Sequence, residues 1–477
     1  CGCAASGKQD TASPDASGSQ KTNGSAAASE LASKYTYTAK YFNAPSAAQY
    51  VSASCMADGA LYLAAAQDGE LRTYTDEASG ESYQYNETGY QVYKMDLATG
   101  ESTPIGALIT DPREADAEGW TISQSLFDLQ PGKDGSVWLF WNVNRSRYDL
   151  PESFDPETDQ RYNYYVDGGN VIRAVELAAD GSIKQDLTLD PGETARPQTG
   201  DYVSFFPQRV LITSDGSFAA SSDRYAYLWS ADGTLTAALD NESYADLKRL
   251  NADTIGVVSY TGDSMKFQAL DAASKSWGET ITLPDRAWNP LPGNSQYDFF
   301  YNNGTALYGY KTDSGKEEKL VDWLACDVNS DSINGVYVDD SGKVCAILRD
   351  STGSYGYYIG GINVTTATND APGSPGASAS GWQVAVLTPT DAAAVTEKQE
   401  LTLACLYLPS TLRAQILAFN RASDKYRIVV RDYSEYNTDE DYTAGMTKLN
   451  TEILSGNVPD MICTNQLPVA QYAAKGV

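Results

Sequence analysis

The chain of 477 residues carries 63 Asp and Glu against 34 Lys and Arg, and it has no histidine. Its chemistry must therefore run on carboxylates, hydroxyls, amides and thiols. Without imidazole there is no Ser-His-Asp or Cys-His nucleophile, no two-histidine zinc site and no histidine pH switch. Asp432 with Glu435 has the residue types of a glycosidase pair, but acids are so frequent that such pairs arise by chance. No catalytic residue is assigned, and the chain is not expected to be an enzyme. Asp327, Asn329 and Asp331 alternate like the opening of a calcium loop. Ser332 stands where that loop needs Gly and Val338 where it needs Glu, so the run reads as a blade-to-blade turn with no metal. No phosphate-binding glycine loop occurs, and no cofactor is expected. The residues that suit a carbohydrate are Tyr407, Tyr433, Glu435, Tyr436, Asn465 and Gln466. A tyrosine ring can stack on a sugar, while a carboxylate or amide takes its hydroxyls.

Those six residues matter because of the elements expected to hold them. LTLACLYL at 401–408 is a continuous apolar run, as in a strand covered on both faces. Pro409 then opens an amphipathic helix with Leu412, Ile416 and Phe419 on one face. YRIVVRDY at 426–433 is the next strand. A second helix over 440–455 carries Tyr442, Met446, Leu449 and Ile453, with Gly456 at its end. DMICTN at 460–465 is a third strand, and a further helix starts near Gln471. This is a parallel βαβαβ unit. Ligands in such sheets bind beyond the C-terminal strand ends, where the six residues fall.

Residues 34–395 read differently. Short runs rich in Val, Ile, Tyr, Trp and Leu alternate with Asp-Gly, Asn-Gly and Ser-Gly turns, among them Asp58-Gly59, Asp134-Gly135, Asp215-Gly216, Asn303-Gly304 and Ser341-Gly342. The turns group into units of two hairpins at about 40 to 50 residues, the period of propeller blades. The fold class is therefore multidomain: an all-β propeller of about six four-stranded blades, followed by the start of an α/β lobe. A pair of β-sandwiches is the alternative architecture. Polar inserts at 71–90 and 142–170, rich in Tyr, Asp and Glu, offer either binding loops or plain surface elaboration. The run at 365–380 reads as a flexible loop.

The net charge of −29 repels phosphate backbones and anionic headgroups, so no nucleic acid and no basic-patch membrane contact is expected. No apolar run is long enough to span a bilayer. Cys55, Cys345, Cys405 and Cys463 lie in apolar strand-like runs and read as core thiols rather than a disulfide framework.

Two resemblances follow. Cys1, followed by a polar, low-complexity run to about residue 30, resembles the start of a mature bacterial lipoprotein. That implies a lipid on Cys1 after signal-peptide cleavage, and a disordered tether over 1–33 on the extracellular face of the cell membrane. The stretch from 401 is similar to the opening of a bacterial extracellular solute-binding protein, family 1, the oligosaccharide-type component of ABC importers. LTLACLYL, Ala418-Phe419-Asn420, YRIVV at 426–430, EILSGNVPDMI with Ser455-Gly456 and Pro459-Asp460, and the closing Tyr472-Ala473-Ala474-Lys475-Gly476 carry it. The resemblance implies a periplasmic-binding-protein-like lobe over 396–477. It also implies non-catalytic capture of a small-molecule solute, an oligosaccharide, for an ABC permease. Family members continue through two lobes joined by a hinge, so the lobe is expected to be truncated here. The alternative is a surface binding or sensing lipoprotein whose propeller recognises the ligand or partner.

Overall fold

Asp58-Gly59 shows how the sequence makes hairpins. Both residues have positive φ, 49° and 72°, as a two-residue type I′ turn requires and Asp-Gly supplies. The turn joins Tyr50–Ala57 to Ala60–Thr75 with Ala57 opposite Ala60. A computed structural model describes residues 35–464 and 473–474, apart from 76–81, 112–113, 116–118, 156–157, 196–204, 223, 242–245, 262–263, 350–355, 360–361, 366–380, 396–397 and 439.

Among the described residues, hairpins assemble into six antiparallel blades, each built outward in chain order except that the N-terminal strand completes blade 6. A separate two-stranded hairpin pairs Gly356–Ile359 with Ile362–Thr365. Blade 1 is Tyr50–Ala57, Ala60–Thr75, Ser82–Asp96 and Ser102–Asp111. Blade 2 is Thr121–Pro131, Val137–Tyr148, Tyr165–Leu177 and Ile183–Leu189, with Glu114–Ala115 added beside its first strand. Blade 3 runs from Val210–Ile212 to Leu235–Asp240, blade 4 from Leu247–Arg249 to Ser276–Leu283, and blade 5 from Pro290–Pro292 to Lys316–Asp322. Blade 6 combines Ile333–Val338, Val344–Arg349 and Trp382–Asp391 with the N-terminal strand Tyr35–Asn43. Each innermost strand contacts the next, and the strands of blades 6 and 1 close the ring. That makes a six-bladed propeller and removes the two-sandwich alternative.

The propeller core is six apolar layers, one between each pair of neighbouring blades, because a twisted sheet can bury its faces only against the next sheet. Trp138 and Phe140 of blade 2 meet Phe218, Tyr227 and Trp229 of blade 3 in one such layer. Trp138 and Phe218 pack edge to face at 5.0 Å. Blade 6 meets blade 1 through Ile347, Trp382 and Val384 against Leu61, Leu63 and Met95. Hydrogen bonds also cross the layers. The Val210 N–H donates to Asp128, the Leu247 N–H to Ser221 Oγ, and the Tyr337 hydroxyl to the Ser54 carbonyl.

The polar inserts differ from the loop reading. The alternating residues at 71–75 and 82–90 extend one hairpin of blade 1, with Leu71 opposite Asn86 and Thr75 opposite Ser82. In blade 2 the strands run on to Tyr148 and resume at Tyr165. The low-complexity run beyond residue 365 lies outside the described residues, as does the tether.

After Asp391 the chain forms a three-stranded parallel sheet in the order Tyr426–Asp432, Gln399–Cys405, Met461–Ile462. Helix α1 (Ser410–Ala422) and helix α2 (Ala444–Leu454) make the crossovers. The first strand stops at Cys405 rather than running to 408, because its partner strand ends opposite it at Asp432 and turns away at Tyr433.

Candidate functional site

The α/β unit is held to the propeller by the turn between blades 5 and 6. Asp327 has a φ of 60°, in the left-handed region that Asp tolerates better than most residues. This turns its carboxylate toward the unit, where the Arg427 guanidinium donates to both oxygens at 3.0 Å. Asn420 Nδ2 donates to the same carboxylate at 3.2 Å. Asp331 accepts from Arg413 at 2.7 Å, and Asn329 caps the short turn Ser330–Ser332. The three residues that alternate like a calcium loop thus bind two arginines and cap a turn. Among the described residues no acidic or thiol cluster is placed to hold a metal. Arg421 lies over the Tyr41 ring at 4.5 Å, and the Tyr41 hydroxyl donates to the Asp327 carbonyl.

A cleft of about 1170 Å³ lies along this junction. Tyr37, Tyr41 and Tyr308 of blades 5 and 6 line one side, and Lys398, Glu400 and Glu435 of the α/β unit the other. Burial pushes the Tyr37 hydroxyl up to about 12 and the Cys326 thiol likewise to about 12, so both stay protonated near neutral pH. The cleft therefore offers neutral hydroxyls and aromatic faces beside a few full charges.

Within the α/β unit the structure brings Tyr407, Glu435 and Tyr436 to one end of the sheet, because their two strands are adjacent and parallel. Tyr407 is 56 % exposed and Tyr436 51 %. Glu435 is exposed and reaches the cleft. Tyr433 is placed differently: it is 4 % exposed, packs with Leu449 and Ile453 of α2, and donates its hydroxyl to Glu452 at 2.5 Å. Its ring offers no face to a solute. Asp432 accepts from the Ser434 N–H and caps a turn, and it lines the cleft together with Glu435. Asn465, Gln466 and Cys1 lie outside the described residues.

Two residues of the family-like motifs act as braces. Asn420 bonds both the N–H and the carbonyl of Ile428 and so covers the open edge of the Tyr426–Asp432 strand. Asp460 accepts from the Thr402 N–H at 2.7 Å and the Thr402 hydroxyl at 2.9 Å, tying the third strand to the first. The propeller side of the cleft was missed in the sequence. Tyr37, Tyr41 and Tyr308 come from segments far apart in the chain, and nothing local marks them among 33 tyrosines.

No known family matches the sequence, and no curated protein does. Among solved structures, the NanB sialidase of Streptococcus pneumoniae aligns with 65 % of this chain and 66 % of its own, just under two thirds, at 11 % identity and a TM-score of 0.38. A protein of unknown function from Dyadobacter fermentans aligns with 74 % of this chain and 95 % of its own, at 11 % identity and a TM-score of 0.35. The propeller assignment rests on the sheet order and the ring of blade contacts.

Proposed function

We propose that this protein is a lipid-anchored, extracellular solute-binding protein that captures an oligosaccharide without chemistry and passes it to an ABC permease. The observation that carries the reading is the junction cleft, which runs from the tyrosines of blades 5 and 6 to Glu435 at the strand ends. Exposed Tyr407 and Tyr436 stand at that same end of the sheet. Flat, partly exposed tyrosines beside carboxylates and lysines suit neutral polyols, which bind by stacking and by hydrogen bonds to charged groups. The lipid on Cys1 would hold the chain at the membrane within reach of its permease. In the solute-binding family that the 401–477 stretch resembles, a second lobe closes over the solute by hinge motion.

The test is thermal shift of the full chain against a panel of oligosaccharides. A binder present at a hundred times its Kd stabilises by about 2.7 kcal/mol. Changing Tyr407 and Tyr436 together to Ala is expected to weaken that binder about tenfold or more. A shift that survives this double change, or no shift with any sugar, sinks the reading.

A second reading places recognition on the propeller. The extended hairpins of blades 1 and 2 favour it, since both join the second strand of a blade to the third and so project from the same face of the ring. Trp120 lies under Arg145 and Arg147, at 5.2 and 4.3 Å, and Tyr148 and Tyr165 stand exposed beside them. A ligand whose shift is lost on changing Tyr148 and Tyr165, and not on changing Tyr407 and Tyr436, selects this reading.

A further inference from the structure

Trp288 is the one tryptophan among the described residues with more than half of its surface exposed, at 56 %. Tyr260 is exposed to the same degree, and the two rings pack together at 5.7 Å with 36° between their planes. Both stand on anchored backbone. Tyr260 belongs to the second strand of blade 4, Ile255–Thr261, where it pairs with buried Met265. Trp288 sits in the linker from blade 4 to blade 5, directly after fully buried Ala287 and two residues before buried Pro290. The Ala287 N–H closes a turn on the Pro284 carbonyl at 3.2 Å. Arg286 in that turn has a φ of 68°, a left-handed conformation that a residue other than glycine adopts only where its surroundings impose it. Two large rings are thus held in water on a fixed support.

The same linker borders a groove of about 500 Å³ between blades 4 and 5, a size that suits a small ligand. Asp285 forms part of its wall and precedes Trp288 by three residues, so their Cα atoms are at most about 11 Å apart. Tyr301, Tyr308 and Tyr310 of blade 5 line the groove together with Asn303 and Glu317. The Tyr301 and Tyr308 rings stack at 5.2 Å, and the Tyr301 hydroxyl donates to Glu317. Asn303 lies in the turn between the second and third strands of its blade, and Tyr260 lies beside the equivalent turn of blade 4. Strands alternate in direction, so these turns and the outer-to-inner linker fall on one face of the ring. The extended hairpins of blades 1 and 2 project from that face too.

We infer that the Tyr260–Trp288 pair and this groove form a second binding site, for a neutral linear oligosaccharide. A sugar ring offers a flat apolar face to an aromatic ring and hydroxyls to carboxylates and amides, and both kinds of group line this track. The groove's lining holds two carboxylates and no cation, in a chain of net charge −29. Uronates and other acidic sugars are therefore repelled. A protein partner would ask for an apolar centre depleted of charge, whereas here the carboxylates stand among the rings. Tyr308 borders the junction cleft as well, so a chain lying in the groove leads toward that cleft. Binding in the groove does not require the cleft.

The experiment is acrylamide quenching of tryptophan fluorescence in the full chain. Cellohexaose, maltohexaose, xylohexaose and mannohexaose are the neutral probes and hexagalacturonate the acidic one. Subtracting the signal of Trp288→Phe isolates the exposed ring. At least one neutral hexasaccharide is expected to shield Trp288 saturably, its disaccharide about tenfold more weakly, and hexagalacturonate not at all. Tyr260→Ala and Glu317→Ala change exposed side chains and should each weaken the shielding about tenfold or more. Tyr260→Phe keeps the ring and should keep the shielding. Changing Tyr407 and Tyr436 to Ala should also leave it in place, so a failure of the junction cleft and a failure of this site read differently. No shielding by any neutral probe, equal shielding by hexagalacturonate, a disaccharide as tight as its hexasaccharide, or wild-type shielding in either alanine variant would each overturn the proposal.

Discussion

Asp128 staples blade 2 to blade 3, and its burial governs how it does so. Removal from water pushes its pKa from 3.8 up to about 6, against Arg209 and the hydrogen bonds from Val210, Gln130 and Leu129, which all pull it down. The folded value lies above the unfolded one, so the native state binds more protons between the two. The contribution is present in full below about 3.8 and is lost as pH rises through about 6, amounting to roughly 3 kcal/mol at most. The total pH dependence of a chain with 63 acids hides this. Its difference from Asp128→Asn does not, because the other acids cancel. Urea unfolding of both proteins in steps between about pH 4 and pH 6 is expected to show the wild-type advantage shrinking as pH rises. A constant gap means that Asp128 titrates at its ordinary value. Asp128 was not legible as a site residue: it is one acid among 63, and what distinguishes it is a backbone N–H from another blade 82 positions away.

At the scale of elements, legibility followed the hydrophobic period. The parallel unit announced itself because buried strands are continuously apolar and α1 repeats its apolar face at three and four residues. The blade 1 and blade 2 inserts read as loops because a strand with neither face in a core carries no apolar alternation. The inner strands Val210–Ile212, Leu247–Arg249 and Pro290–Pro292 are too short to show a period at all. Nor does any local pattern foretell that the turn at Asp327 clamps the α/β unit. Asp327→Gly keeps the backbone able to hold its positive φ and removes both bonds to Arg427 and the bond to Asn420. A charge-assisted fork of this kind is worth about 1.5–3 kcal/mol. Hydrogen exchange should speed up across 399–464 in the variant while blades 1 to 4 stay protected. Equal speeding in every blade would mean that the turn stabilises the propeller rather than the docking.

The propeller is a ring closed by the first strand among the described residues. Tyr35–Asn43 pairs with Trp382–Asp391 in unbroken antiparallel register from Tyr35 opposite Asp391 to Asn43 opposite Gln383. Closure therefore joins segments some 350 positions apart, as the Thr38 and Thr390 hydroxyls do at 2.9 Å. The same strand lends Tyr37, Ala39 and Tyr41 to the layer between blades 5 and 6 and Phe42 to that between blades 6 and 1. Tyr41 also carries Arg421 of the α/β unit. One strand thus stabilises two blade interfaces, the outer edge of blade 6 and the docked unit, and the four should fail together. A chain lacking residues 1–43 is expected to melt roughly 10 °C or more lower, with the Trp382–Asp391 edge open to pairing between molecules. Adding the peptide YTYTAKYFN in excess should recover part of the loss, since the vacant edge and its two apolar layers match that segment. An unchanged melting temperature would mean that three strands suffice to close blade 6, and the ring would then owe its stability to the six apolar layers alone.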